Sequence, residues 1–396
     1  MSSISRSFFV YFLPLEKKMR GNNLFKFIDR YAGIPLLFAA SLFSRKRSDL
    51  ADLRPKRILV VKFSALGDAI LLVPALRSLR RKYPDAEITL VGTNFTIPFL
   101  CTFPEYIGEF ISLDLGLILR RPMYLISIVK QLRSLEFDLA LDFEQWLRLS
   151  ALLVRFSGAP HRLGFRTARQ HRHWGFTCAV NRSAARHEMW NFLSLTMPAT
   201  RTADEASLEA RINEGGLVTA QSFLMTHGWQ KGTPLLIVHP GCGSHGFPRE
   251  WPPKKYGELI DRMAKHRPAF FVVTGTEDEL PAMEAVRRST QAALSLYAIS
   301  TLADFTALLS MAALFISSNN GAMHLAAALG IPQVALHGPT NSVQWGPLNS
   351  RAVTIASNCP SCPCLDLGFE YHRTDGYCME QIDVEDVDNA VNHFIV

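Results

Sequence analysis

Residues 57–63 (RILVVKF) form an almost continuous apolar run rich in β-branched side chains. Such a run predicts a strand covered on both faces, as in a parallel sheet. Residues 64–68 (SALGD) then make a tight turn, and residues 69–83 carry a helical period with Pro74 inside it. The strand signal returns at 87–91 (EITLV) and 137–142 (FDLALD), and the helical one at 143–156. A second series opens after Gly232-Thr233-Pro234, with strands at 235–239, 269–274, 314–317 and 333–336 and helices at 255–266, 302–312 and 322–330. This alternation predicts an α/β fold of two doubly wound Rossmann-type domains, residues 56–230 and 231–396, joined by a linker at 228–234. Paired domains of this kind hold ligands between them, at the carboxyl ends of their strands.

The first 55 residues differ in texture. Their longest apolar run, 31–43 (YAGIPLLFAASLF), has 13 residues, whereas a membrane-spanning helix needs about 20. The run at 7–15 (SFFVYFLPL) is shorter and precedes no small-residue cleavage site. Lys17, Lys18, Arg20, Lys26 and Arg30 separate the two runs, and Arg45, Lys46 and Arg47 close the second. Residues 1–57 hold twelve Lys/Arg against four Asp/Glu, an excess larger than the formal charge of +7 on the whole chain. Residues 1–55 therefore read as an amphipathic helical extension lying in a membrane interface, with an ordinary helix covering the first domain as the alternative.

At 396 residues, 48% hydrophobic and 19% charged, the chain can bury two cores and is not disordered. Seven cysteines are too few for a disulfide framework and fit a reducing cytoplasm. Cys359, Cys362, Cys364 and Cys378 cluster near the end, but their C-x2-C-x-C-x13-C spacing lacks the paired C-x2-C knuckles of a zinc ribbon. They are expected to be structural or incidental, with no metal bound.

Three segments point further. Residues 58–79 (ILVVKFSALGDAILLVPALRSL), 239–259 (HPGCGSHGFPREWPPKKYGEL) and 315–347 (FISSNNGAMHLAAALGIPQVALHGPTNSVQWGP) resemble, in order and spacing, motifs of glycosyltransferase family 9, the ADP-heptose:lipopolysaccharide heptosyltransferases. The resemblance runs from about residue 56 to the end and includes the cysteine-bearing tail. It implies a GT-B-like fold whose first domain binds the acceptor and whose second binds the nucleotide-sugar. It further implies inverting transfer in one displacement, ADP-heptose as donor, and no tightly held cofactor, a divalent ion being at most stimulatory. Asp68 matches the family's proposed base, and Arg249 the position of a Lys or Arg against donor phosphate. Asn319 stands where the family commonly has Asp, which weakens any case for a metal bridge there.

Each assignment has its own chemistry. A helix beginning near Gly321 offers free backbone N–H groups and a positive dipole end to a diphosphate, with Asn319 or Asn320 as its cap. Gly321 permits close approach, and His324 lies one turn in, facing the cleft or packed under it. Arg249 can neutralise charge on a departing nucleotide diphosphate. Glu277 can accept from ribose hydroxyls, or can simply be a solvated acid at a helix start. Asp68, after the first strand, is placed to take a proton from an acceptor hydroxyl. Gly241–Gly246 matches G-x-G-x-x-G, but the following Pro-rich stretch delays the helix and argues against a nicotinamide site. Between Gln145 and His187 there are eight arginines and no acid or lysine. That favours recognition of phosphate or carboxylate on an acidic glycolipid, with Ser64, Arg162, Arg166, Arg169 and Arg172 on the acceptor side. Aromatic stacking positions are missing, which disfavours nucleic acid. The expected location is the cytoplasmic face of the inner membrane. The rival readings are a transferase using another nucleotide-sugar and a non-catalytic binding homologue.

Overall fold

The computed structural model describes residues 23–42, 50, 52–200, 207–243, 246–366, 370–371 and 375–394. The run at 7–15 and the cations Lys17, Lys18, Arg20, Arg45, Lys46 and Arg47 lie outside these.

The first half contributes β1 (Arg57–Val61), β2 (Glu87–Gly92), β3 (Glu109–Ser112), β4 (Leu139–Asp142), β5 (His161–Arg166) and β6 (Cys178–Asn181). They form one parallel sheet in the order β3-β2-β1-β4-β5-β6. The second half contributes β7 (Leu235–His239), β8 (Phe270–Gly275), β9 (Ser295–Ala298), β10 (Leu314–Ser318), β11 (Gln333–His337) and β12 (Ala352–Ala356). Their order, β12-β11-β10-β7-β8-β9, is the same winding repeated. In β1 every residue from Ile58 to Val61 is buried, because helices cover both faces. The pattern is therefore a solid apolar run and not an alternating one.

Ten helices matter to the site. They are α1 (Asn23–Tyr31), α2 (Gly33–Ser41), α3 (Leu66–Lys82), α4 (Arg148–Phe156), α5 (Glu188–Thr200), α6 (Glu214–Thr226), α7 (Pro253–His266), α8 (Leu302–Ser310), α9 (Gly321–Ala328) and α10 (Tyr377–Glu380). Helix α3 starts earlier than its apolar period suggests, so Asp68 falls in its first turn. Helix α4 starts later than position 143, because residues 144 and 145 turn inward toward β1. Helix α6 precedes residue 231 yet packs on α8, within the second half.

Residues 23–42 do not stand apart. Helix α2 packs on α4, and the Asp29 carboxylate accepts from the backbone N–H of Arg148 and Leu149, capping that helix. Phe25, Gly33 and Leu37 are buried there, while Leu24, Phe27, Ile28, Tyr31, Leu36 and Leu42 face outward. The alternative of a helix covering the first domain holds for the inner face, and the outer face is apolar. No helix among the described residues is long and apolar enough to cross a membrane.

Candidate active site

The chain reverses direction in each sheet beside its first strand, between β1 and β4 and between β7 and β10. Loops leave such a point in opposite directions and open a crevice. Here the two crevices face one another, and the loops after β1, β7 and β10 supply most of one recess. It is lined by Ala65, Gly67, Asp68, Arg249, Asn319, Asn320, Gly321, His324, Thr340, Trp345 and Leu365, and its empty volume, open to solvent, is about 460 Å³. Five of the six residues expected on the donor side thus meet Asp68 in one place.

Two glycines let the halves close. A Cβ on Gly67 would stand 2.7 Å from the His324 ring, and one on Gly321 would stand 3.1 Å from Leu66. The amino ends of α3 and α9 therefore abut across the seam. His187 Nε2 donates to Gly346 O at 2.8 Å, and Gln344 Nε2 donates to the Glu188 carboxylate at 3.1 Å.

Asp68 is 8% exposed and is held from beneath. Its Oδ2 lies 2.9 Å from Lys62 Nζ and accepts from Gln145 Nε2 at 3.4 Å. Lys62, at 0% exposure, also donates to Glu144 Oε1 at 3.2 Å and Gln145 Oε1 at 3.0 Å. Glu144 Oε1 in turn accepts from the backbone N–H of Phe63 and Ser64, fixing the half-buried turn that carries Ser64. Burial opposes the charge on Lys62, but Asp68 and Glu144 outweigh it and raise its pKa above the usual lysine value. Sequence reasoning passed over Lys62, Glu144 and Gln145. The available signal was a lysine inside the apolar run 57–63, expected to be buried, where a charge demands a partner.

On the opposite wall, Asn320 is the residue that caps α9. Its Oδ1 accepts from Met323 N at 3.0 Å, and its Nδ2 donates to Gly241 O at 2.9 Å. Asn319 instead donates through Nδ2 to Trp345 O at 2.9 Å. An ionised Asp there would face that carbonyl with no proton to give, so the amide has a local reason. Arg249 donates to Asn319 O at 3.0 Å and Cys242 O at 3.1 Å, which orients its guanidinium over the recess. His324 is buried, and loss of solvation, with His187 nearby, lowers its pKa to about 3. It is neutral at physiological pH. Glu277 is exposed and outside the recess. The acid that meets the phosphate-side loop is Glu279, which accepts from Gly243 N at 2.7 Å and Thr276 N at 2.8 Å. Burial opposes its charge, but His239 and these N–H groups lower its pKa.

The arginine-rich stretch divides. Arg172, at 0% exposure, donates to Asp142 at 2.6 Å and Leu147 O at 2.9 Å. Arg162 is buried against Ala159 O and Gly175 O, and loss of solvation lowers its pKa to about 10. Arg148 pairs with Asp29, Arg182 with Glu188, and Arg155 donates to Ala40 O. Arg162 and Arg172, expected on the acceptor, are thus engaged inside the domain. Arg166, the last residue of β5, and Arg169, in the loop that follows, are exposed. Their loop is tied to the site, because Thr167 Oγ1 donates to Gln145 O.

Known proteins place this geometry. The family model described as "Glycosyltransferase family 9 (heptosyltransferase)" matches residues 125–371, more than half of the chain. The lipooligosaccharide heptosyltransferase 2 of Haemophilus ducreyi is 24% identical over 318 residues, covering 76% of this chain and 88% of that protein. Among solved structures, a family 9 glycosyl transferase from Veillonella parvula superposes with TM-score 0.70 at 20% identity, over 88% of this chain and 99% of that one. The E. coli ADP-heptose lps heptosyltransferase II gives 0.66 at 23%, over 85% and 98%. With two like-wound sheets facing one recess and a family match over residues 125–371, which takes in half of the first sheet and all of the second, this chain belongs to glycosyltransferase family 9, the heptosyltransferase family, and is a glycosyltransferase.

Proposed function

We propose that the enzyme transfers a heptose from ADP-heptose to an acidic lipopolysaccharide-core acceptor, with inversion and with Asp68 as general base. The observation that carries this reading is a single recess that joins Asp68, from one half, to Arg249 and the amino end of α9, from the other. An acceptor hydroxyl attacks the anomeric carbon, Asp68 takes its proton, and the bond from that carbon to the diphosphate breaks. Charge then builds on the departing nucleotide diphosphate, where the Arg249 guanidinium and the dipole of α9 stabilise it. One displacement from the far face of the sugar inverts the centre. Lys62, 2.9 Å from the Asp68 carboxylate, pairs with it and aims it. None of these steps uses a metal.

Arg166 and Arg169 serve the acidic acceptor. The outward face of α1 and α2, with the cations flanking it in sequence, rests the enzyme on the anionic cytoplasmic face of the inner membrane. Because Asn319 has a packing reason, it gives no support to a non-catalytic homologue.

The test is Asp68→Asn, read as ADP release from ADP-heptose with and without acceptor. Loss of a general base costs about 10²–10⁴ in kcat, while donor affinity, set by the other half, stays near normal. A variant within a few-fold of the parent removes Asp68 from the chemistry, and a panel of other nucleotide-sugars run alongside tests the donor.

A further inference from the structure

Cys359, Cys362, Cys364 and Cys378 converge in the fold. The sulfurs of Cys359, Cys362 and Cys378 all lie within 4.8 Å of one another. Cys378 Sγ is 3.9 Å from Cys359 Sγ and 3.5 Å from Cys364 Sγ. These thiols form a small buried cluster of their own, separate from the apolar cores. A free thiol usually packs as a small hydrophobe among aliphatic neighbours. Here the buried neighbours are other sulfurs. In a tetrahedral thiolate site with metal–sulfur bonds of about 2.3 Å, ligand sulfurs stand about 3.8 Å apart. The two measured spacings bracket that edge and are far beyond a disulfide bond of about 2.05 Å.

We infer that Cys359, Cys362 and Cys378, with Cys364 as the fourth thiol, hold one thiophilic metal ion, zinc or iron, in a tetrahedral site. This proposal departs from the expectation drawn from spacing alone. The Cys359–Cys362 pair is closed by a turn in which Cys362 N donates to Cys359 O at 2.9 Å. The missing second pair is supplied in space, since α10 carries Cys378 back against Cys364. On binding, each ligating thiol gives its proton to solvent and its sulfur lone pair to the ion. Sulfur-only ligation selects zinc or iron over magnesium or calcium.

The site has a structural task. Cys364 N and Leu365 N both donate to Pro339 O at 2.9 Å, next to Thr340, and Leu365 and Thr340 line the recess. Helix α10 packs on the turn Phe247–Arg249. One ion thus fastens two segments that shape the donor wall, without touching substrate.

The test is metal content of the full chain, purified under reducing conditions from cells supplied with both metals. The expected result is about one zinc or iron per chain, iron being told from zinc by its visible absorption. Cys378→Ser lowers that content at least about five-fold, while Cys101→Ser, an exposed cysteine elsewhere, leaves it unchanged. Should Cys378→Ser not fold, DTNB decides on the wild-type protein, whose four clustered thiols then react only after a chelator is added. Less than about 0.1 metal per chain, full content in folded Cys378→Ser, or a disulfide among the four by mass spectrometry overturns the proposal.

Discussion

Replacing Lys62 by Met tests the support beneath Asp68. All three N–H donors of the ammonium are used, on Asp68, Glu144 and Gln145. At an effective dielectric near 20, ion pairs of 2.9 and 3.2 Å correspond to about 5–6 kcal/mol each before desolvation is set against them. Methionine fills similar volume but leaves Glu144, at 0% exposure, and the nearly buried Asp68 as two carboxylates without a cation. Breaking a buried pair on one side costs about 3–5 kcal/mol, or about 6–20 °C in Tm. Adding Glu144→Gln restores most of that loss, because the amide oxygen still accepts from Phe63 and Ser64 while the surplus charge is gone. Activity stays low in the double variant, since Asp68 remains unsupported.

The assay is a thermal melt paired with kcat for both variants. Lys62 has its pKa raised in the folded state, so its contribution is complete below 10.5 and fades only as pH climbs through the raised value. Tm differences between parent and variant measured from about pH 6 to 9 are therefore flat on this account. A Lys62→Met protein melting within about 2 °C of the parent would falsify the reasoning.

Gly67→Ala pushes a methyl group against the His324 ring across the seam, so kcat falls at least about ten-fold and Tm drops by an amount matching 1–3 kcal/mol; normal kinetics would show that the halves do not need this approach. Arg166→Ala/Arg169→Ala raises the acceptor KM several-fold and leaves Tm and donor KM unchanged. Arg172→Ala strips Asp142 of its partner and lowers Tm by about 3–5 kcal/mol equivalent, and equal melting of the two variants would contradict the division between them. Phe27→Asp/Leu36→Asp, at residues 58% and 52% exposed, leaves Tm intact but reduces co-flotation with anionic vesicles, and unchanged flotation would point to another contact.

Elements buried on both faces were the legible ones. Strands β1, β7 and β10 announce themselves as solid apolar runs, whereas β5 (HRLGFR) and β6 (CAVN) carry no such signal near the sheet edge. The meeting of Asp68, Arg249 and the start of α9 was readable because they follow β1, β7 and β10, whose carboxyl ends face the recess. The arginines were not, and the reason is geometric. Their stretch contains no acid, yet Asp142 and Glu188 flank it in sequence, Asp29 comes from the distant α1, and all three reach it through the fold. Glu277, expected on the ribose or else solvated, is exposed while Glu279 points inward, because two residues along a tight turn decide which carboxylate does so. The convergence of the cysteines was hidden for the same reason as the arginines' partners, since a spacing rule sees contacts along the chain and not across it.

The repeated winding of the two sheets has a consequence for inheritance. Among the described residues no strand crosses from one sheet to the other, and α6 travels with the second half although it precedes the linker. A crossover placed between residues 211 and 214, after the segment that bonds Arg77 and Glu105 of the first half, would therefore exchange an intact module, with Arg249, the α9 terminus and the cysteine cluster transferred together. Such a hybrid must recover the seam: the narrow fit at Gly67 and Gly321, where neither partner tolerates a bulkier neighbour, and the hydrogen bonds His187–Gly346 and Gln344–Glu188. Recombination among relatives can then reassort one wall of the recess against the other, and lineages can diversify each wall on its own schedule.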